Sequence, residues 1–157
     1  MSHKTLRIAR RAGLNALCGR DIFKTRGGQI GQVKGDQHER LALTIATRMI
    51  EGLDSVSREL IELYGRAHTQ WLEMAGFDIW LTIAKRPGLY TGFQIKSSPG
   101  GKRKFRSEAR YNGVPCVIVN YELDRGDIEK NIATAINDCT TGKVPFIQPP
   151  KHRAGAP

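Results

Sequence analysis

The sequence predicts an α/β fold, one small mixed sheet flanked by helices, and three observations carry that prediction. Residues 77–84 alternate with a period of two, Phe77, Ile79, Leu81 and Ile83 on one face against Asp78, Trp80, Thr82 and Ala84 on the other. They reverse through Arg86-Pro87-Gly88 into a return strand at 89–97, where Phe93 and Ile95 share one face and Gln94 and Lys96 the other. The run 114–121 is nearly continuous in valine and isoleucine, as a strand covered on both faces should be. Two further segments, near 37–53 and 127–139, place apolar residues at helical spacing.

Taken in order, residues 4–17 predict a short basic helix that serves as an arm rather than as core. RGGQIGQVKG (26–35) holds four glycines and predicts a flexible basic loop, with a strand at 29–33 as an option. A helix follows Asp36 as N-cap, with Leu41, Ile45 and Met49, and one step round Ala42, Ala46 and Leu53, facing inward. A second helix runs from 54 or 55 to about 75, its buried face marked by Val56, Leu60, Leu63, Ala67 and Trp71 or Leu72, bent at Gly65 and ended by Gly76. Ser98-Pro99-Gly100-Gly101 predicts a loop, and 102–111 a short helix with Phe105, Ala109 and Tyr111 inward. Asp127 caps the last helix, which buries Ile128, Ile132, Ala135, Ile136 and Cys139. The whole is expected to be one domain, 1–157, with a basic N-terminal arm over about 1–34 and an irregular C-terminal tail over about 144–157.

A chain of 157 residues is long enough to bury about 70% of the surface its unfolded form exposes. No apolar run approaches the ~18 residues that a transmembrane helix needs, and the basic N-terminus lacks a signal peptide's apolar stretch, so a cytoplasmic protein is expected, or one in the host cytoplasm if phage-encoded. Cys18, Cys116 and Cys139 are odd in number and widely spaced, which argues for reduced thiols, with Cys116 a core residue.

The net charge of +10 is unevenly placed. Residues 1–34 hold eight Lys or Arg against Asp21 alone, and 102–110 hold five against Glu108. Removing these from the chain's 25 basic and 15 acidic residues leaves 12 against 13, so two stretches carry the entire excess. Such concentration is the footprint of a polyanion surface, most often nucleic acid, beside the plainer reading of a solvated basic face. Arg7, Arg10, Arg11, Lys24, Arg26 and Lys34 in the arm, with Lys102, Arg103, Lys104 and Arg106 after the hairpin, are the candidate DNA contacts.

If the hairpin is centred near Pro87, antiparallel partners have numbers summing to about 174, which sets Asp78 opposite or nearly opposite Lys96, with Gln94 on a diagonal within ~7–8 Å. One carboxylate, one amide and one lysine thus meet. Phosphodiester hydrolysis needs a nucleophilic water and relief of negative charge at phosphorus; a divalent ion supplies both and is held by one or two carboxylates plus phosphate. Asp78 would be the fixed carboxylate, Gln94 a neutral oxygen donor, and Lys96 a group that orients water or stabilises the transition state.

These residues resemble the PD-(D/E)xK nuclease superfamily: an acid on an early helix (Glu39), an aspartate opening a hairpin (Asp78 in AGFDIWL), an amide two places before a lysine (Gln94-Ile95-Lys96), then a helix and a buried strand. No proline precedes Asp78, and Gln94 stands where an acid is commoner. The Gln-x-Lys variant is similar to compact intron-encoded homing endonucleases, and the layout after the lysine to small Holliday-junction resolvases. The resemblance implies a restriction-endonuclease-like core, a Mg2+ cofactor with Mn2+ as substitute, and metal ligands at Asp78, Gln94, the Ile95 carbonyl and Glu39. It implies catalytic roles for Glu39, Asp78, Gln94 and Lys96. Glu59, Glu62 and Glu73 compete with Glu39, and Asp78 and Lys96 have the plainer reading of a surface pair. The expected activity is that of a Mg2+-dependent DNA endonuclease acting as a homodimer, without membrane partners. A four-way junction is the favoured substrate; a site-specific homing activity and a non-catalytic basic DNA-binding protein are the alternatives.

Overall fold

Four strands form one mixed sheet: β1 (Ile61–Arg66), β2 (Ile79–Ile83), β3 (Thr91–Lys96) and β4 (Cys116–Ile118), in that spatial order. β1 with β2 and β2 with β3 are antiparallel, whereas β3 and β4 run parallel. The structure is a computed structural model that describes residues 27–151, with side chains from residue 34 onward. Helices surround the sheet: α1 (Gly27–Glu51), α2 (Ser55–Glu59), α3 (Gln70–Met74), α4 (Pro99–Ser107) and α5 (Arg125–Thr140), with a 3-10 turn at Ala109–Tyr111. The chain divides into two compact units, Met1–Asp36 and Gln37–Pro157, and the sheet belongs to the second. The α/β class with a small mixed sheet is as the sequence predicts.

Several expectations are corrected. The glycine-rich stretch expected as a loop or strand is helical from Gly27, and Asp36 lies within α1 rather than capping it. Each interior glycine costs a helix about 1 kcal/mol, but extending an existing helix adds a hydrogen bond for each residue ordered. Among the described side chains of α1, His38, Ala42, Ile45, Ala46 and Ile50 are buried and Leu41 and Met49 half-buried; Leu53, beyond its end, is exposed. The arm residues 4–17 lie outside the described residues, as do Arg7, Arg10, Arg11, Lys24 and Arg26.

The single helix expected over 54–75 is instead α2, β1 and α3. Val56 and Leu63, assigned to its buried face, are 72% and 57% exposed. The sheet wins because residues 61–66 find a partner in β2, from Ile61 beside Ile83 to Arg66 beside Ile79, with a bulge between Ile61 and Leu63. Gly65 pairs with Trp80, and a Cβ there would come within 3.0 Å of the indole ring. The glycine read as a helix bend is the space that a cross-strand tryptophan fills.

α4 begins at Pro99 rather than at 102: the Ser98 hydroxyl accepts the Gly101 N–H at 3.1 Å and proline occupies the first turn. Of its expected inward residues Phe105 is buried, Tyr111 stacks on it with ring centroids 4.5 Å apart, and Ala109 is exposed. Asp124, not Asp127, caps α5, whose Ile128, Ile132, Ala135, Ile136 and Cys139 are buried as the spacing predicts. The tail is ordered further than expected. Val144 is buried and Ile147 bridges Tyr90 through two 2.8 Å backbone hydrogen bonds. No helix among the described residues is long and apolar enough to cross a membrane.

Candidate functional site

The site begins where α3 meets β2. Gly76 follows α3 with φ +86°, a backbone region that disfavours a side chain, and a Cβ there would lie 2.7 Å from the Tyr111 ring. Phe77 then turns into the core, so strand alternation sends Asp78 to the other face. The Asp78 backbone is held from both sides, its N–H donating to Phe93 at 3.0 Å and its carbonyl accepting from Ala67 at 2.8 Å. A carboxylate at the entry to β2, its backbone bonded on both sides, has little freedom to move.

The β2–β3 register corrects the predicted pairing. Ile79 faces Phe93 and Leu81 faces Thr91, so the partners sum to 172 and the next pair along is Asp78 with Gln94, not Asp78 with Lys96. The shift is of two residues, which preserves every face. Its cause lies outside the hairpin: Ala84 donates to the Leu60 carbonyl at 3.0 Å and Tyr90 pairs with Ile147, so the strands part early and the reversal centres on Arg86.

The consequence is a tight polar knot. Asp78 Oδ2 accepts the Ile95 N–H at 2.9 Å and also the Gln94 side-chain amide, whose Nε2 lies 3.4 Å from the Ile95 carbonyl oxygen. Gln94 is buried, its own N–H bonded to the Pro115 carbonyl at 2.8 Å. Burial pushes the Asp78 carboxyl up to about 6; the Ile95 N–H and the Lys96 charge pull it down, and the Glu73 charge adds to the rise. Lys96 Nζ sits 5.8 Å from the Phe105 ring centroid, within cation–π range. Among the described residues no ion pair joins Lys96 to Asp78, which weighs against the plain surface-pair reading.

A cavity of about 470 Å³ opens here, walled by Glu39, Glu73, Asp78, Gln94, Lys96, Gly101, Lys104, Phe105, Glu108 and Tyr111, with Ala67. All four predicted catalytic residues, Glu39, Asp78, Gln94 and Lys96, therefore share one space. Glu39 is engaged by Arg66 at 3.4 Å, however, and Glu108 by Arg110 at 2.8 Å. Glu59 and Glu62 are exposed and do not line the cavity. Glu108 and Tyr111 are wall residues that the sequence did not point to, and Lys104, expected as a DNA contact, also lines the cavity. The signal for them was the Ser98-Pro99 helix start, which fixes how α4 and the following turn return past Lys96.

No protein-family model, curated protein or solved structure matches the chain.

Among the described residues no group of three or more His, Cys, Asp or Glu is arranged to hold a metal ion. The oxygens that do converge are of another kind. Asp78 Oδ2 and the Ile95 carbonyl both face the Gln94 NH2, and the amide turned over would present Oε1 to the same point. One carboxylate and two neutral oxygens form a hard donor set that fits Mg2+ or Mn2+ with water completing the shell. Of the candidate phosphate contacts, Arg103, Lys104 and Arg106 on α4 are exposed, while Lys102 on α4 and Lys34 on α1 are half-buried. Cys116 is buried and its thiol is pushed up chiefly by that burial, as a core residue's would be.

Proposed function

We propose that the protein is a Mg2+-dependent DNA endonuclease built on a restriction-endonuclease-like core, of the PD-(D/E)xK type. The observation that carries this reading is the convergence of Asp78, Gln94 and Lys96 on one cavity, with the Ile95 carbonyl 3.4 Å from the Gln94 amide, beside a helix rich in exposed cations. The succession of hairpin, helix and strand parallel to the hairpin's second arm agrees with the resemblance.

Asp78, Gln94 and the Ile95 carbonyl would hold the ion, with Glu39 or another wall carboxylate beside them. When bound, the divalent ion lowers the pKa of a water and offsets charge at phosphorus. Lys96 supplies fixed positive charge beside Asp78 and hydrogen-bonds the attacking water or a phosphate oxygen. Phe105 holds that ammonium in place through its ring face. Arg103, Lys104 and Arg106 grip the backbone on either side of the scissile phosphate, which positions the strand without reading its sequence. A homodimer supplies the second site that cutting two strands requires.

The favoured substrate is a four-way junction, because exposed lysine and arginine along α4 suit recognition by shape and backbone rather than by base edges. The test incubates supercoiled plasmid, linear duplex and a synthetic junction with Mg2+, with Mn2+ and with EDTA. Metal-dependent cutting of the junction, resistant to excess unrelated duplex, is expected. Absence of metal-dependent cutting on every substrate would leave a non-catalytic DNA-binding protein, and one strongly preferred duplex site would favour the homing reading.

A further inference from the structure

We propose that Glu73, rather than Glu39, is the second carboxylate of the metal set, an assignment that rests on the endonuclease reading and deepens it. Four carboxylates wall the cavity: Glu39, Glu73, Asp78 and Glu108. Two of them already face a guanidinium, Glu39 that of the largely buried Arg66 and Glu108 that of Arg110. Drawing Glu39 to an ion would compete with its ion pair to Arg66, a guanidinium only 15% exposed. Glu73 has no such obligation. It is exposed, and its side chain makes no ion pair or hydrogen bond to a described residue.

Its position relative to Asp78 is also fixed by backbone. The Glu73 carbonyl accepts the Gly76 N–H at 3.0 Å and the Leu72 carbonyl accepts the Phe77 N–H at 3.1 Å, so the end of α3 is tied onto the start of β2. The positive φ of Gly76 sets the direction of that joint. Glu73, on the last turn of α3 just before this joint, thus lines the cavity beside Asp78. Consistent with this proximity, the Glu73 charge is felt at Asp78. Two carboxylates, one amide oxygen and one main-chain carbonyl make an oxygen set of the kind hard divalent cations take, with water filling the remainder.

The test measures Mn2+ affinity of the full chain, without DNA, from the loss of the free-ion electron paramagnetic resonance signal. Wild type is compared with Asp78→Asn, Glu73→Gln, Glu39→Gln and Glu62→Gln, each checked by melting in EDTA; Glu62 is exposed, outside the cavity, and reports the effect of net charge alone. Glu73→Gln is expected to weaken Mn2+ about tenfold, with Glu39→Gln and Glu62→Gln within about twofold of wild type. Weakening by Glu73→Gln no greater than by Glu62→Gln, or a larger loss in a folded Glu39→Gln, overturns the assignment while leaving the endonuclease reading intact. Mn2+ affinity untouched by Asp78→Asn overturns the endonuclease reading, and the assignment with it.

Discussion

Replacing Asp78 by asparagine tests the site through folding, with no assumption about substrate. In the folded chain burial holds the Asp78 carboxyl near 6, against an ordinary value of 3.8. Below pH 3.8 the group is protonated whether the chain is folded or not, and there is no penalty. As pH rises the unfolded chain releases the proton first, so stability falls between about 4 and 6 and the loss is complete above the folded value. At ~1.36 kcal/mol per unit, a difference of roughly 2 units gives about 3 kcal/mol at pH 8, an upper bound because the carboxylate keeps some contact with water. Asparagine escapes that cost, and its side-chain oxygen can still accept from the Ile95 N–H and the Gln94 amide. Asp78→Asn should therefore melt about 4–10 °C above wild type at pH 8 in EDTA and equal it near pH 3.5. Addition of Mg2+ should raise the wild type alone, by about 2.7 kcal/mol at a hundredfold excess over the dissociation constant. A melting difference that stays constant with pH, or an asparagine variant less stable at pH 8, would refute the claim that Asp78 is held ionised against its surroundings.

Lys96→Met should lower cleavage by 100-fold or more while DNA binding, measured by fluorescence anisotropy, changes by less than about threefold, because the charge acts on the reacting phosphate. Changing Arg103, Lys104 and Arg106 together to glutamine should weaken DNA binding at low salt and reduce the log–log salt slope by about 0.9 for each phosphate contact removed. Gln94→Glu sets a second carboxylate against the first, so urea titrations should show a loss on the order of 1–3 kcal/mol at pH 8 that vanishes below pH 4.

The hairpin was legible because its alternation is uninterrupted: Phe77, Ile79, Leu81 and Ile83 are all buried, and Phe93 and Ile95 answer them from β3. That pattern alone brought Asp78, Gln94 and Lys96 to one end of the sheet. The pairing among them was not legible, since it depends on Ala84 bonding to Leu60 and Tyr90 to Ile147, contacts 24 and 57 residues apart in the chain. β1 was hidden for a different reason. Its bulge at Glu62 breaks the period of two, its burial is partial, and Val56, Leu60, Leu63 and Ala67 recur at helical spacing. The start of α4 is legible in Ser98-Pro99, a capping serine before a first-turn proline, but Gly100 and Gly101 mask it with the composition of a loop.

The choice of glutamine at position 94 can be argued from the same geometry. Position 94 is buried and its side chain contacts the Asp78 carboxylate directly. An acid there would set two negative charges within hydrogen-bond reach in a space that already raises one carboxyl to about 6. One of the pair would then take up a proton near neutral pH and cease to be an anionic ligand. An amide supplies the same oxygen in one orientation and, in the other, the N–H that satisfies Asp78 and the Ile95 carbonyl while no cation is present. The site as it stands is thereby hydrogen-bonded instead of repulsive, and the proposed metal would meet one unit of charge less. Under the proposed function the substrate would make good that missing charge: a DNA phosphate held by the exposed Arg103, Lys104 and Arg106 of α4 would bring its own anionic oxygens to the cavity. Metal and DNA should therefore bind cooperatively, with the glutamine keeping the protein folded and stable until both arrive.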